Sequence, residues 1–509
     1  MNLLYDPLVQ TRPAGWLSLP GVLAALARGE VASFPALRPH QRAAWHCFLV
    51  QLGALALDRA GQDALPETED GWRTPLEALS SDGWDLVAPE GRPAFMQPPA
   101  PKGLKWTDVA TPDALDLLIT ARNHDLKQAV AEDSDPQDWI FALVSLQTSE
   151  GYGGAGNFGI ARMNRGSSSR PMLAFIPDPD QSGSIDPALW WRRDVAALLR
   201  LRVEGREVAP GQPGGPALLW LLGWPEGGTG LDLTRLDPWF IEVCRRIRLE
   251  RRGGRIGARR TTSKAARVDA TAFSGVTGDP WTPVTAEKPR SLTLGDGEFS
   301  YRRMCDLLFS AGWRRPALAE PQEGEADGLI LAEALGRGNS KTDGLKSRLI
   351  PVPGAVVASL WRKSMAEMAA AQIEEIAHFD NALKFGLATA AADGAGDLSK
   401  PDYERSRPAR RGFDTRADTL FFPALFDRVE ADETGGLAGL EAARVRFLHA
   451  LRDAARAEFA LALRAIPTGA IWRPRAEARA RRVFERHLRA GDYGALLAPH
   501  REEDTDDAA

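Results

Sequence analysis

After Pro353 the apolar residues of this chain fall into a helical rhythm that leaves few folds open. Between Ala355 and Ala392 they stand at Val357, Trp361, Met365, Met368, Ile376, Phe379, Leu383 and Leu387. Steps of three and four place them on one side of a helix. Thr415–Val429 reads as a second helix, with Pro423 expected to kink or restart it. Leu437–Ile466 is a third, with Leu437, Leu440, Leu448, Leu451, Phe459 and Leu463 on its stripe, and Pro474–Ala490 is a fourth. A helix with one apolar stripe must bury it against another element. Four such helices with short polar links predict an antiparallel four-helix bundle over 354–495. The acidic stretch within 496–509 is expected to be disordered.

The preceding 353 residues have a different texture: rich in Gly, Pro and Trp, with short apolar runs. His40–Leu57, Asp113–Arg122 and Trp190–Arg202 read as helices. The runs LITAR and MLAFIP fit a strand or a buried helix equally well at that length. The expected fold class is α+β: a large irregular N-terminal α/β domain (1–353) with long loops, followed by the bundle. Long loops on a rigid body often carry function.

Several function classes drop out on composition. Three cysteines, Cys47, Cys244 and Cys305, make no CxxC and no Cys/His cluster, so neither a disulfide framework nor a zinc site is expected. No metal and no cofactor is implied. The opening MNLLYDPLVQTRP has no basic and apolar leader pattern, and no run of about 18 apolar residues occurs, so a soluble cytoplasmic protein is expected.

The net charge of −5 hides strong segregation. Cys244–Arg267 holds nine Arg, one Lys and one Glu, and Arg473–Arg489 holds seven Arg and two Glu. Local basic patches, not the total, make phosphate-binding surfaces.

The stretch Gly151–Arg170 is the most informative. Gly151-Tyr-Gly153-Gly-Ala-Gly156 matches GxGxxG, but a dinucleotide site needs a strand before it and a helix opening inside it. The following NFGIARMNRGSSSRP is polar, with more glycines and a proline. Glycines let a backbone approach a ligand closely, Asn157 offers hydrogen bonds, and Arg162, Arg165 and Arg170 offer charge. That mixture suits a sugar-phosphate backbone or a shallow minor groove. Gly336–Thr342 resembles a phosphate loop but has Leu335 and Ser340 where the motif needs glycine, and it reads as a flexible loop. The seven histidines are scattered, and no complete catalytic motif is present. The chain is therefore expected not to be an enzyme. The alternatives are a nucleotide-dependent enzyme using the GxGxxG-like loop, or a purely structural scaffold.

Taken in order, several segments resemble one family. They are MNLLYDP, Phe95-Met-Gln-Pro, DVATPDALDLLITARNHDLK, Gly151-Tyr-Gly-Gly, Asp279-Pro-Trp-Thr-Pro-Val, GRGNSKTDGLKSRLIPV and LFFPALFDRV. Together they resemble the CasA family, the large subunit of the type I-E CRISPR surveillance complex (Cascade), over nearly the whole chain. The resemblance implies a non-catalytic subunit that reads the short motif (PAM) beside the target in duplex DNA, starts strand separation, stabilises the R-loop and helps recruit a helicase–nuclease.

It also implies site residues. A glycine loop entering the minor groove would be Gly151, Gly153, Gly154 and Gly156, with Asn157. A lysine finger would be Lys288, with Arg290 as substitute. A wedge hairpin would carry Asn339, Ser340 and Lys341; Lys341 takes a glutamine's place but, as a point charge, cannot mimic an amide. A loop touching the 5′ region of the crRNA and a neighbouring subunit would use Asn123, His124 and Lys127. By their charge, and not by the resemblance, Arg162, Arg165, Arg170, Arg245, Arg246, Arg251 and Arg252 are the expected phosphate contacts. Expected partners are the other Cascade subunits, the crRNA, PAM-bearing duplex DNA and the helicase–nuclease, with no membrane.

Overall fold

A computed structural model describes residues 1–116, 134–163, 166, 168–206, 209–227, 230–295, 297–338 and 341–498, with backbone only at 337, 338 and 341–343. The chain divides into two compact units. The larger comprises Met1–Phe299 and Ala311–Val352, the smaller Ser300–Ser310 and Pro353 onward. The fold class is α+β: small sheets and helices in the larger unit, helices in the smaller.

Helices Leu19–Ala27, Arg42–Ala60, Glu69–Leu79, Pro136–Ser149 and Pro187–Val203 contribute to the larger unit's core. The Arg42–Ala60 helix is buried nearly all round, from Ala44 to Leu57. Trp45 stacks on Phe48 and meets Phe141 edge-on, with centroids 5.4 and 4.9 Å apart. Tryptophan thus supplies much of this core, and Trp16 and Trp472 are the large exposed ones among the described residues.

The run MLAFIP is a strand, Met172–Pro177, buried along nearly its whole length. It pairs antiparallel with Gly328–Gly338, which pairs in turn with Lys341–Val352. Registers Glu333↔Met172 and Gly338↔Lys341 show that the Gly328–Val352 hairpin overhangs the short strand. Gly336–Thr342 is therefore the end of a long β-hairpin rather than a free loop. Its strands continue through Gly338 and resume at Lys341.

The smaller unit is a four-helix bundle. Its members are Lys363–Ala391, the two arms of the Arg407–Ala465 run, and Arg473–Leu488. Cross-ties run in opposite chain directions. Asp380 meets Arg410 while Gln372 meets Phe421, and Arg416 meets Glu458 while Asp427 meets Arg446. His378 meets Leu488, while Asp393 meets Arg475. Neighbouring helices are antiparallel.

Met365, Ile376, Phe379, Leu383 and Leu387 are buried, as their spacing predicts. Three local expectations fail. The first helix starts at Lys363, after a separate turn over Gly354–Val357. Backbone dihedrals stay helical through Pro423, and the break comes at Gly436, whose φ of 58° favours glycine. Because the chain reverses there, Leu437 is 83% exposed rather than on the stripe. At Gly386 a Cβ would stand 2.8 Å from Phe484 and 2.9 Å from Phe459, so glycine permits the close helix approach.

Candidate nucleic-acid interface

Gly151–Gly156 follows the Pro136–Ser149 helix, not a strand, and leads to a 3₁₀ turn at Ala161–Met163. The helix start that a dinucleotide phosphate requires is missing. Instead the chain forms a tight loop closed on itself. Gly153 N–H donates to the Asn157 carbonyl and Asn157 N–H to the Gly154 carbonyl, both at 2.9 Å. Tyr152 N–H donates to Gly166 and Ile160 N–H to Glu150, at 2.8 and 3.0 Å. Gly154 and Gly156 have φ of 110° and 76°. Where the loop crosses itself, a Cβ on Gly159 would lie 2.5 Å from the Gly151 carbonyl carbon, so only glycine fits. Tyr152, Gly153 and Ala155 are exposed at the tip, and Asn157 is half-buried.

Two of the loop's arginines point the other way. Arg162 and Arg170 are 2% and 4% exposed. Arg170 grips both oxygens of Asp279 at 2.6 Å. Arg162 bonds to Glu242 at 3.3 Å and to the Phe240 carbonyl at 3.0 Å, and its Nε lies 3.7 Å from Asp279. Two cations and two carboxylates thus form a buried, charge-balanced cluster beneath the loop. Burial pushes the Glu242 carboxyl up to about 7, against the pull of Arg162. Burial would raise Asp279 too, but the Arg170 guanidinium outweighs it and holds that carboxyl below its usual range. These arginines are clamps and are not presented to a phosphate.

Much of the Cys244–Arg267 run is corrected in the same way. It folds as a hairpin of Arg246–Arg252 and Arg255–Thr261. Arg245 is buried and donates to the Gly151 carbonyl at 2.8 Å, supporting the glycine loop from below. Arg246 is buried against Trp224 and donates to the carbonyls of Trp224 and Pro225. Arg252 is occupied by Asp108 and Glu250. Arg251 remains exposed. Arg165, Asn123, His124, Lys127, Asn339 and Ser340 lie outside the described residues, as does the Lys341 side chain. The three cysteines are buried, and burial pushes the Cys47 thiol up to about 12 and Cys244 to about 11. His46 is likewise structural: it lies 2.8 Å from Asp194 and stacks on Trp190.

Lys288 sits at the tip of a tight turn. The Thr285 hydroxyl donates to the Lys288 carbonyl at 3.1 Å, and Arg290 N–H donates back to that hydroxyl at 3.0 Å. Lys288 is exposed and has a φ of 45°, rare for a side chain with a Cβ.

Tertiary links gather these elements. Ser169 N–H donates to the Leu335 carbonyl at 3.0 Å, and Leu335 N–H returns a bond to the Ser169 hydroxyl at 2.7 Å. The glycine loop is thereby tied to the overhanging hairpin. A Cβ on Gly166 would meet Thr293 at 2.4 Å, and one on Gly336 would meet the Gly295 carbonyl at 3.3 Å. The segment leaving the Lys288 turn therefore packs between the other two. A cavity of ≈ 740 Å³ opens beside the loop, lined by Tyr152, Phe158, Ile160, Lys264, Asp269 and Ser274 among others.

The residues whose roles sequence reasoning missed are Asp279 and Glu242. Glu242 carried a signal: a lone carboxylate inside Trp239-Phe-Ile-Glu-Val must find a cation.

No family model and no curated protein matches the chain. Solved structures match in fold. Cse1 from Acidimicrobium ferrooxidans, a CRISPR-associated protein, is 18% identical, with a TM-score of 0.64 over 96% of this chain and 98% of that one. CasA from Thermus thermophilus is 19% identical, with a TM-score of 0.64 over 96% and 99%. Cse1 from Thermobifida fusca is 16% identical, with a TM-score of 0.62 over 96% and 98%. The likeness spans both units and establishes a shared fold. Among the described residues no helix is long and apolar enough to cross a membrane.

Proposed function

We propose that this chain is the large, non-catalytic subunit of a crRNA-guided type I-E Cascade complex, acting in the cytoplasm, and that it reads the PAM through the elements joined at Ser169–Leu335. The observation that carries the reading is that junction. It sets an exposed glycine tip, a lysine-tipped turn and an overhanging hairpin on one body, within a fold shared with Cse1 and CasA over 96% of the chain.

Each element has a physical task. The Gly153–Gly156 tip is slim enough to enter a minor groove, where Asn157 can meet base-edge acceptors. Lys288 adds a point charge for a phosphate. The Asn339–Lys341 end of the hairpin acts as the wedge at the first base pair. Each base-pair step opened costs ~1.4 kcal/mol, roughly returned as the guide pairs, so the protein need only nucleate the process. Arg251 and Arg165 are the remaining candidates for phosphate contact. Asn123, His124 and Lys127 meet the crRNA 5′ region and a neighbouring subunit. A separate helicase–nuclease is recruited to cut.

The test is PAM-duplex binding by the assembled complex. Replacing Asn157, Lys288 and Asn339 together with Ala should weaken it at least tenfold while guide RNA loading persists. Unchanged binding removes the site assignment. Turnover of nucleotide or DNA by the purified chain would favour an enzyme instead.

A further inference from the structure

The last bundle helix, Arg473–Leu488, carries an arginine row that the duplex-reading elements do not use. Its buried side is Ala476, Ala480, Phe484 and Leu488. Opposite stand Arg475, Arg479, Arg482, Arg486 and Arg489, in alternating steps of four and three, all exposed. At 3.6 residues per turn these five fall within an arc of about 80°, along about 21 Å of axis.

The row is short of carboxylates. Among the described residues no ion pair forms at Arg475, Arg479, Arg482 or Arg486. Arg475 and Arg479 donate instead to the uncharged carbonyls of Asp393 and Gly394, at 2.9 and 2.7 Å. Arg489 lies 3.6 Å from Glu485, a carboxylate shared with Arg456 at 2.9 Å. Glu477 is taken by Arg473. A merely solvated helix face intersperses both signs. A favourable helix dipole explains cations only in the last turn, so it leaves Arg475, Arg479 and Arg482 unexplained.

One end of the row bears an aromatic platform. Trp472 is 48% exposed, and the Arg475 guanidinium lies 4.4 Å from its ring centroid. A straight line of guanidinium forks ending in an exposed indole matches how single strands are held: phosphates along the cations, a base stacked on the ring.

We propose that the outer face of the Arg473–Leu488 helix is a binding track for single-stranded nucleic acid. This does not rest on the PAM reading. It needs no sequence preference, because the row contacts phosphates and the indole accepts any base.

The experiment measures binding of a fluorescein-labelled oligothymidylate to the full purified chain by anisotropy, across a salt series. Each phosphate neutralised on a single strand contributes about 0.7 to the salt slope. Arg482→Ala/Arg486→Ala should therefore lower the slope by about 1.4, whereas Arg482→Lys/Arg486→Lys should keep it. Trp472→Ala should weaken binding by roughly fivefold or more at every salt concentration, with the slope unchanged. Lys102→Ala/Arg206→Ala, at exposed cations outside the bundle, should leave this binding unaltered, and a loss there would place the strand elsewhere and overturn the track. An unchanged slope in the double alanine variant would also overturn it. Polyaspartate competing as well as the oligonucleotide would make the row an acidic-protein surface instead.

Discussion

Asp279 is the hinge of the charge cluster beneath the glycine loop, and replacing it with asparagine tests that view directly. Both carboxylate oxygens accept from Arg170 at 2.6 Å, with each side chain 4% exposed. Asp279 also accepts from Trp281 N–H at 3.2 Å and the Thr282 hydroxyl at 3.0 Å. The asparagine would keep the shape but remove the charge and turn an amide N–H₂ towards donors. Breaking one side of a buried pair costs about 3–5 kcal/mol, because the remaining cation stays desolvated. Using about 2 °C per kcal/mol for a large domain, the larger unit should lose roughly 6–10 °C in Tm.

Acid should erase the difference. Asp279 is held below its usual pKa, so its contribution is present above the ordinary carboxylate value and lost as pH falls through the lower, folded value. The gap between Asp279→Asn and the unaltered chain should be level from pH 5 to 8 and shrink below about pH 4. Removing both partners, Arg170→Met with Asp279→Leu, should restore most of the stability, since no charge is left stranded. Calorimetry or thermal melts across pH would report all three arms. A cost below about 1 kcal/mol for Asp279→Asn, or a double variant no better than the single, would refute the clamp.

Two further outcomes are expected. Gly159→Ala would drive a Cβ into the Gly151 backbone 2.5 Å away, which cannot give as a side chain can. The loop should open at a cost of about 1–3 kcal/mol, seen as faster hydrogen exchange over 151–160 with the bundle unaffected. Burial and raised pKa should protect Cys47 and Cys244, so iodoacetamide at pH 8 should label them only in denaturant; rapid native labelling by mass spectrometry would contradict their placement.

What the sequence determined by itself is the part written in local periodicity. Burial of Ile376, Phe379, Leu383 and Leu387 follows from a 3.6-residue repeat that needs no distant partner. The break at Gly436 falls in the link expected between Val429 and Leu437, whereas the kink expected at Pro423 does not form, because one proline is absorbed within a long, well-packed helix. The failure of the GxGxxG reading was legible too, because the required helix start is a local pattern.

The roles of the arginines were decided only by the tertiary structure. Arg162 and Arg170 look identical in sequence to solvent-facing phosphate ligands. Their counter-charges are 80 and 109 residues away, at Glu242 and Asp279, and no local rule pairs them. An arginine goes inside only when its charge and donors are met there. That turned Arg162 and Arg170 inward, beneath a tip whose residues from Tyr152 to Asn157 carry no charge. The joining of that tip to Leu335 and the Lys288 turn is likewise non-local. In the Arg473–Leu488 helix the helical repeat alone set the arginine row opposite the apolar face. Only the bundle showed that, among the described residues, no carboxylate pairs with four of its five arginines.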